Sequence, residues 1–162
     1  MKILSASADD VDAIVAIWNP LIRGTTTTFN SIEKTPADIT NMIADCRTSG
    51  QAFLVALQDD TLLGFARYGA FRDGIGYAHT AEHTVISADQ AQGKGVGRAL
   101  MAALESHARA NEIHSLIASV AAENTAAIAF HKALGFMQVA HIPEAGRKFN
   151  RWLDVVFLQK IL

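Results

Sequence analysis

The stretch Gln92-Gly93-Lys94-Gly95-Val96-Gly97-Arg98 decides how this chain is read. It lies between an extended run, roughly Tyr77 to Ser87, and a segment in which Val96, Leu100, Leu104 and Ala108 recur on one helical face. The order is therefore strand, glycine turn, helix. Glycines let the main chain come close to a ligand and take turns that a side chain would block. Amide N–H groups at a helix start can converge on phosphate oxygens, with the helix dipole adding to their pull. Lys94 and Arg98 can supplement that field. The spacing is not the GxxxxGK[ST] of a nucleotide P-loop, and no acidic ribose-binding residue follows as in a dinucleotide site. Taken alone, the turn is either a phosphate cradle or a tight start to a helix. Its place after a polar extended strand favours the ligand.

Upstream, residues 2–5 suit a short strand, and Asp9 or Asp10 can cap a helix carrying Val11, Ile14, Val15 and Trp18. Pro20 and Gly24 put its end near Asn19. The threonine-rich run from Arg23 to Pro36 reads as a structured loop. Thr35 and Pro36 then open a helix bearing Ile39, Met42, Ile43 and Cys46, which Gly50 stops. From Gln51 the period shortens to that of strands, with Asp59-Asp60 as the turn of a hairpin. Downstream, residues 114–120 form a strand and Asn124 caps a helix that Gly135 ends. Two last strands, 136–142 and 152–162, flank the segment PEAGRKFNR. Helices alternating with strands, plus an early hairpin, predict an α/β fold: a mixed α+β sheet with helices on both faces. A purely parallel sheet fits less well.

The chain has 162 residues, half of them hydrophobic, enough to fill the core of one domain, 1–162. A net charge of -2 argues against a broad basic surface for nucleic acid. The single cysteine, Cys46, excludes an internal disulfide and a multi-thiolate metal cluster. The histidines at 79, 107, 114 and 141 have no ligand spacing, so no metal is expected. No apolar run suits a bilayer or a secretory signal, so the expected location is cytoplasmic.

Gln92-x-x-Gly95-x-Gly97 after Glu82-His83-Thr84-Val85-Ile86 resembles the acetyl-CoA loop of the GNAT superfamily of N-acetyltransferases. Asn124 and the run from Ala129 to Phe136 are similar to its C-terminal signature. TTTTFNS, TAEHTVIS and the segment Gly146 to Asp154 resemble more closely the branch that acetylates phosphinothricin, methionine sulfone and methionine sulfoximine. The resemblance implies the GNAT fold, a central, mostly antiparallel twisted sheet. It also implies acetyl-CoA as cosubstrate, a small amino-acid-like acceptor and a homodimer. Backbone amides of Gly93, Lys94, Gly95, Val96, Gly97 and Arg98, beside Gln92, would hold the pyrophosphate. Thr84, Val85 and Ile86 would bond the pantetheine arm, and Asn124 belongs to the same cofactor set.

Within that resemblance Glu82 is the general base, acting directly or through water, against the bland alternative of a solvated strand-end charge. His131 stands where many members carry a tyrosine acid. It either contacts the CoA thiol or orients a water, or it is a half-buried helix histidine. His83 points to the other strand face and reads as a packing residue. Arg72 is the candidate reader of an acceptor carboxylate, Tyr77 a wall with a hydroxyl, and Phe29 with Thr28 a loop over the pocket. Lys148 and Arg151 belong either to the same rim or to a charged turn. Trp152 is expected to pack and Asp154 to pair with a cation. Protein N-terminal or lysine acetylation, and a non-catalytic CoA-binding module, are the competing functions.

Overall fold

The computed structural model describes residues 1–162. Strand β1 (Lys2–Ser5) is followed by helices α1 (Val11–Gly24) and α2 (Pro36–Thr48). Strands β2 (Phe53–Gln58), β3 (Thr61–Ala70) and β4 (Thr80–Ser87) lead into α3 (Val96–Ala110). Then come β5 (Ser115–Ala121), α4 (Thr125–Ala133), β6 (Met137–Lys148) and β7 (Arg151–Ile161). All strands join one seven-stranded sheet in the order β1-β2-β3-β4-β5-β7-β6. Only β4 and β5 run parallel; every other pair is antiparallel. This is the mixed, mostly antiparallel sheet that the alternation of periods predicts.

Each face has its own core. Leu100, Met101, Leu104 and Ala108 of α3, all fully buried, pack with Ala66, Leu116 and Leu158 of the sheet. On the opposite face Ile14, Trp18 and Ile22 of α1 and Ile39 and Cys46 of α2 meet Val55, Phe65 and Ile86. No residue of β5, β6 or β7 belongs to that second cluster. The sheet is thus covered on two faces only along part of its width.

Local signals act as their chemistry demands. Thr35 accepts the Asp38 N–H while Asp38 accepts the Thr35 N–H, a reciprocal box that starts α2 on Pro36. Asp59 and Asp60 take φ of 48° and 62° in the tight turn between β2 and β3.

Four expectations are corrected. Helix α1 does not end near Asn19 but runs through Pro20 to Gly24. An interior proline costs about 3 kcal/mol, whereas burying a side chain such as Ile22, 1% exposed, recovers about 1.5–3 kcal/mol. Asp10 stands at the N-cap of α1 but makes no side-chain cap bond there; the cap bonds lie one short turn earlier, where Ser7 accepts the Asp9 N–H and Asp10 accepts the Ser7 N–H. Tyr77 lies in a short helical turn ahead of β4, not in the strand. The segment PEAGRK is not a loop but continues β6, through a register shift between Ile142 and Gly146. The turn itself is only Phe149-Asn150, with φ of 51° and 59°.

Candidate functional site

The site begins where the sheet comes apart. Parallel pairing of β4 with β5 covers only Thr80↔Ser115, Ala81↔Leu116 and Glu82↔Ile117. Past Glu82, β4 stays paired with β3 as far as Ser87, and β5 with β7 as far as Ala121, but not with each other. A cavity of about 270 Å³ lies at this split, lined by Glu82 to Ile86 and Ala118 to Ala121. Trp18, Thr27, Thr28, Phe29, Asn124 and His131 are also on its wall. A larger groove of about 620 Å³ shares Thr27, Val85, Ile86, Asn124, Ala127 and His131 with it and runs on to the glycine turn.

At that turn Gly95 sits in the left-handed region (φ 75°), with open space where a side chain would project. Ala99 is the first residue to bond back into α3, its N–H donating to the Gly95 carbonyl at 3.0 Å. The amides of Val96, Gly97 and Arg98 are therefore left without an intrahelical partner at the positive end of a 15-residue helix. Gln92, Gly93, Gly95, Val96, Gly97 and Arg98 all line the groove. Lys94 does not; its N–H donates to the Ala91 carbonyl. These open amides fit a phosphate-bearing ligand. No group of three or more His, Cys, Asp or Glu side chains is placed to hold a metal.

His83 is more than a packing residue. Its Nε2 lies 3.0 Å from Nε2 of His131, and both rings are buried against Phe136. His131 Nδ1 is 2.7 Å from the Ala127 carbonyl, so it must carry the proton and donate. Its Nε2 is then bare and accepts from the His83 Nε2–H, which leaves His83 Nδ1 bare and without a partner. Burial, then the neighbouring His131, pushes the His83 pKa down to about 3, against a smaller opposite pull from the Ile117 backbone. Burial lowers His131 as well. The pair is neutral, with both His131 nitrogens engaged. No free N–H on that ring is left for a direct acid role.

The loop that carries Thr27 to Phe29 is held at three points. Thr26 Oγ1 donates to Glu123 at 2.6 Å, and Arg151 grips the same carboxylate through two bonds of 2.8 Å. Those bonds, Arg151's first and then Thr26's, hold the Glu123 pKa at about 2. Lys148 Nζ, buried, donates to the Thr28 carbonyl at 2.7 Å, and burial draws its pKa below the ordinary lysine value. Phe29 lies directly over Gly146.

Arg72 and Tyr77 come together, the guanidinium 5.9 Å from the ring centroid, but they line a separate cavity with Gln51, Asp73 and Asn111. Neither is on the wall that holds Glu82. Trp152 does not pack inward: it is 59% exposed, with Arg147 over its ring. Asp154 does find a cation-capable partner, His141, at 2.7 Å. His79 stays outside the cavity, its Nδ1 2.6 Å from the Glu112 carbonyl. Sequence reading also missed Trp18, Ser119 and Phe130 as cavity or groove walls. Their helical and strand periodicity marks only which face is apolar.

The family model described as an acetyltransferase (GNAT) domain matches residues 3–157. The chain belongs to the GNAT acetyltransferase family. Among its relatives is an L-methionine sulfoximine/L-methionine sulfone acetyltransferase of Pseudomonas paraeruginosa, 37% identical, covering 98% of this chain and 92% of the relative. Among solved structures, a ribosomal-protein-alanine N-acetyltransferase from Brucella melitensis superposes with a TM-score of 0.97 at 36% identity, covering all of both chains. A phosphinothricin acetyltransferase from Sinorhizobium meliloti, solved with acetyl-CoA, gives 0.94 at 28% identity, covering 99% of this chain and 88% of that one.

Proposed function

We propose that this N-acetyltransferase moves acetyl from acetyl-CoA to the α-amine of a small free amino-acid analogue. L-methionine sulfone, L-methionine sulfoximine and phosphinothricin are the leading acceptors, the first two ahead. One observation carries the reading: the cavity that holds Glu82 shares a wall with the groove that ends at the open amides of α3. A cofactor entering from the glycine turn would present its reacting end at the strand split. The names of the Pseudomonas and Sinorhizobium proteins support the choice of acceptor.

In this proposal the amides of Gly93, Gly95, Val96, Gly97 and Arg98 hold the pyrophosphate, without that of Lys94, which is spent on Ala91, and the unpaired edge of Thr84 to Ile86 bonds the pantetheine arm. Asn124, which caps α4 by accepting the Ala127 N–H, borders both cavities. Bound acetyl-CoA would supply the thioester carbonyl; as the N–C bond forms and the C–S bond breaks, the departing thiolate takes up the proton that the nitrogen loses and leaves as the CoA thiol. Glu82 takes the proton of the acceptor ammonium, directly or through water, so that an uncharged amine faces the carbonyl. Holding both reactants in one narrow cavity supplies the orientation that direct attack requires. Phe29 walls the acceptor side. His131 contributes a neutral imidazole at the junction, oriented by His83.

Arg72 reads the acceptor carboxylate in this proposal, with Tyr77 beside it. Phe71 meets Phe157 edge-on at 6.3 Å, and Phe157 pairs with Ser119 on the Glu82 cavity wall. The end of β3 thus lies beside the acceptor pocket, and Arg72 has no carboxylate partner within its own chain. The proposal further takes residues 1–162 as a single catalytic domain, since one sheet joins its first and last strands. It takes the working unit as a homodimer in the cytoplasm. Met137, Val139 and Trp152 are exposed on the edge hairpin, which suits a second copy, and the one thiol is free. Light scattering would read the dimer as twice the chain mass; a monomer at micromolar concentration removes it.

The test of function is thiol release from acetyl-CoA against free amino acids, their sulfone and sulfoximine analogues, phosphinothricin, polyamines and peptides. Saturable turnover on the sulfone and sulfoximine is expected. A second reading, acetylation of a protein N-terminus, is favoured by the likeness to the Brucella protein. Turnover confined to peptides would establish it instead, and acetyl-CoA binding with no acceptor-dependent release would leave a binding module.

A further inference from the structure

We propose that Gly146 and Lys148 of β6 set acceptor specificity by fastening the Thr27–Phe29 loop as a fixed wall of the acceptor cavity. The inference rests on the acceptor reading above and names the residues that give that pocket its shape.

The geometry is one of contact without space to spare. A Cβ on Gly146 would collide with Cδ2 and Cε2 of the Phe29 ring. Only a glycine lets the ring come this close to the strand. Two residues along, Lys148 is 4% exposed, and its ammonium has no carboxylate partner, donating instead to the Thr28 carbonyl. A buried ammonium bound to one loop carbonyl serves the loop's position rather than a surface ion pair. Both contacts reach across 117 residues or more of sequence to adjoining positions of one loop, and those positions line the cavity beside Glu82. The third tie, Thr26 to Glu123 and Arg151, fixes the loop's entrance. The loop has no helix or strand of its own to hold it. The irregularity between Ile142 and Gly146 explains the placement, since it brings this glycine into register with Leu153 under the ring.

The consequence differs from that of a general packing defect. Gly146→Ala displaces Phe29 and reshapes the acceptor side, while the glycine turn and its groove stay as they are. We expect the KM for small acceptors to rise about tenfold, as small misplacements of bound reactants do. Bulkier amino acids gain relative to small ones, and the KM for acetyl-CoA changes less than twofold. Lys148→Met, similar in length but unable to donate, moves the same parameters in the same direction. Introduced into a Phe29→Ala background, Gly146→Ala has no further effect, because the ring it would displace is gone. Wild-type turnover with acceptor KM and selectivity unchanged in both single variants overturns the fastening. So does a full additional loss in the Phe29→Ala background, which would mark Gly146→Ala as a folding defect. Absence of wild-type turnover on every free amino acid overturns the acceptor reading itself, and the two failures are thus told apart.

Discussion

The cavity at the split strands and the cavity around Arg72 and Tyr77 differ in what holds their polar groups. At the split, charge and hydrogen bonding are committed: His83 to His131, Lys148 to Thr28, Arg151 to Glu123. Around Arg72 the bonds of Tyr68 and Asn111 are committed to His107 but the charge is free, for the guanidinium lies over an exposed tyrosine ring and completes no ion pair. In the proposed reading the first is the place for chemistry, its walls fixed by bonds made within the chain before a substrate arrives. The second is a surface with an uncommitted cation, suited to recruiting a carboxylate.

The largest effect expected is at the committed cavity. Glu82→Gln keeps the shape of the side chain but removes the base, so turnover should fall about a hundredfold or more. Acetyl-CoA binding, measured by calorimetry, should stay as it was. A variant turning over at the wild-type rate across neutral pH would strip Glu82 of its role and leave the split cavity without a proton acceptor. Next is the joining of the two cavities. Arg72→Ala should raise the acceptor KM about tenfold, the worth of one charged hydrogen bond, and spare kcat and the acetyl-CoA KM. An unchanged acceptor KM would show that the two cavities work separately.

The same contrast explains what the amino-acid sequence discloses. The glycine turn, the caps at Thr35 and Asn124 and the face of α3 are local chemistry, legible from spacing alone. So is the mixed sheet, because its strand and helix periods differ. The full length of α1 and β6 is not legible, since tertiary burial carries α1 past Pro20 and a register shift carries β6 past Pro143. The histidine pair and the contact of Phe29 with Gly146 join positions 48 and 117 residues apart. No periodicity encodes such a meeting. Only the break in pairing after Glu82 and the path of the last hairpin bring these residues together.

The smallest effect separates a neutral histidine pair from a charged one. His83 stays neutral in the fold because no carboxylate or cation touches it: around it lie His131 of α4, the Phe136 ring, the Ile117 backbone and, across from it on β3, the uncharged Tyr68. On its own strand Glu82 points to the other face, Lys132 of α4 is exposed, and β5 carries no titratable side chain. From β7, Lys160 lies over the Phe136 ring, already paired with Glu105. The folded pKa of His83, about 3, is below the ordinary 6.5, so between those values the unfolded chain binds the extra proton. Stability from this group is complete above pH 6.5 and is lost as the pH falls toward 3. The slope is about 1.4 kcal/mol per pH unit for one such group. Urea unfolding between pH 4.5 and 6.5, above the range of most carboxylates, should show it, and His83→Gln should flatten it. An equal slope in both proteins would mean that folding leaves the His83 pKa unshifted, and a slope that steepens in His83→Gln would mean that the fold holds the ring protonated, in place of a neutral tautomer chain.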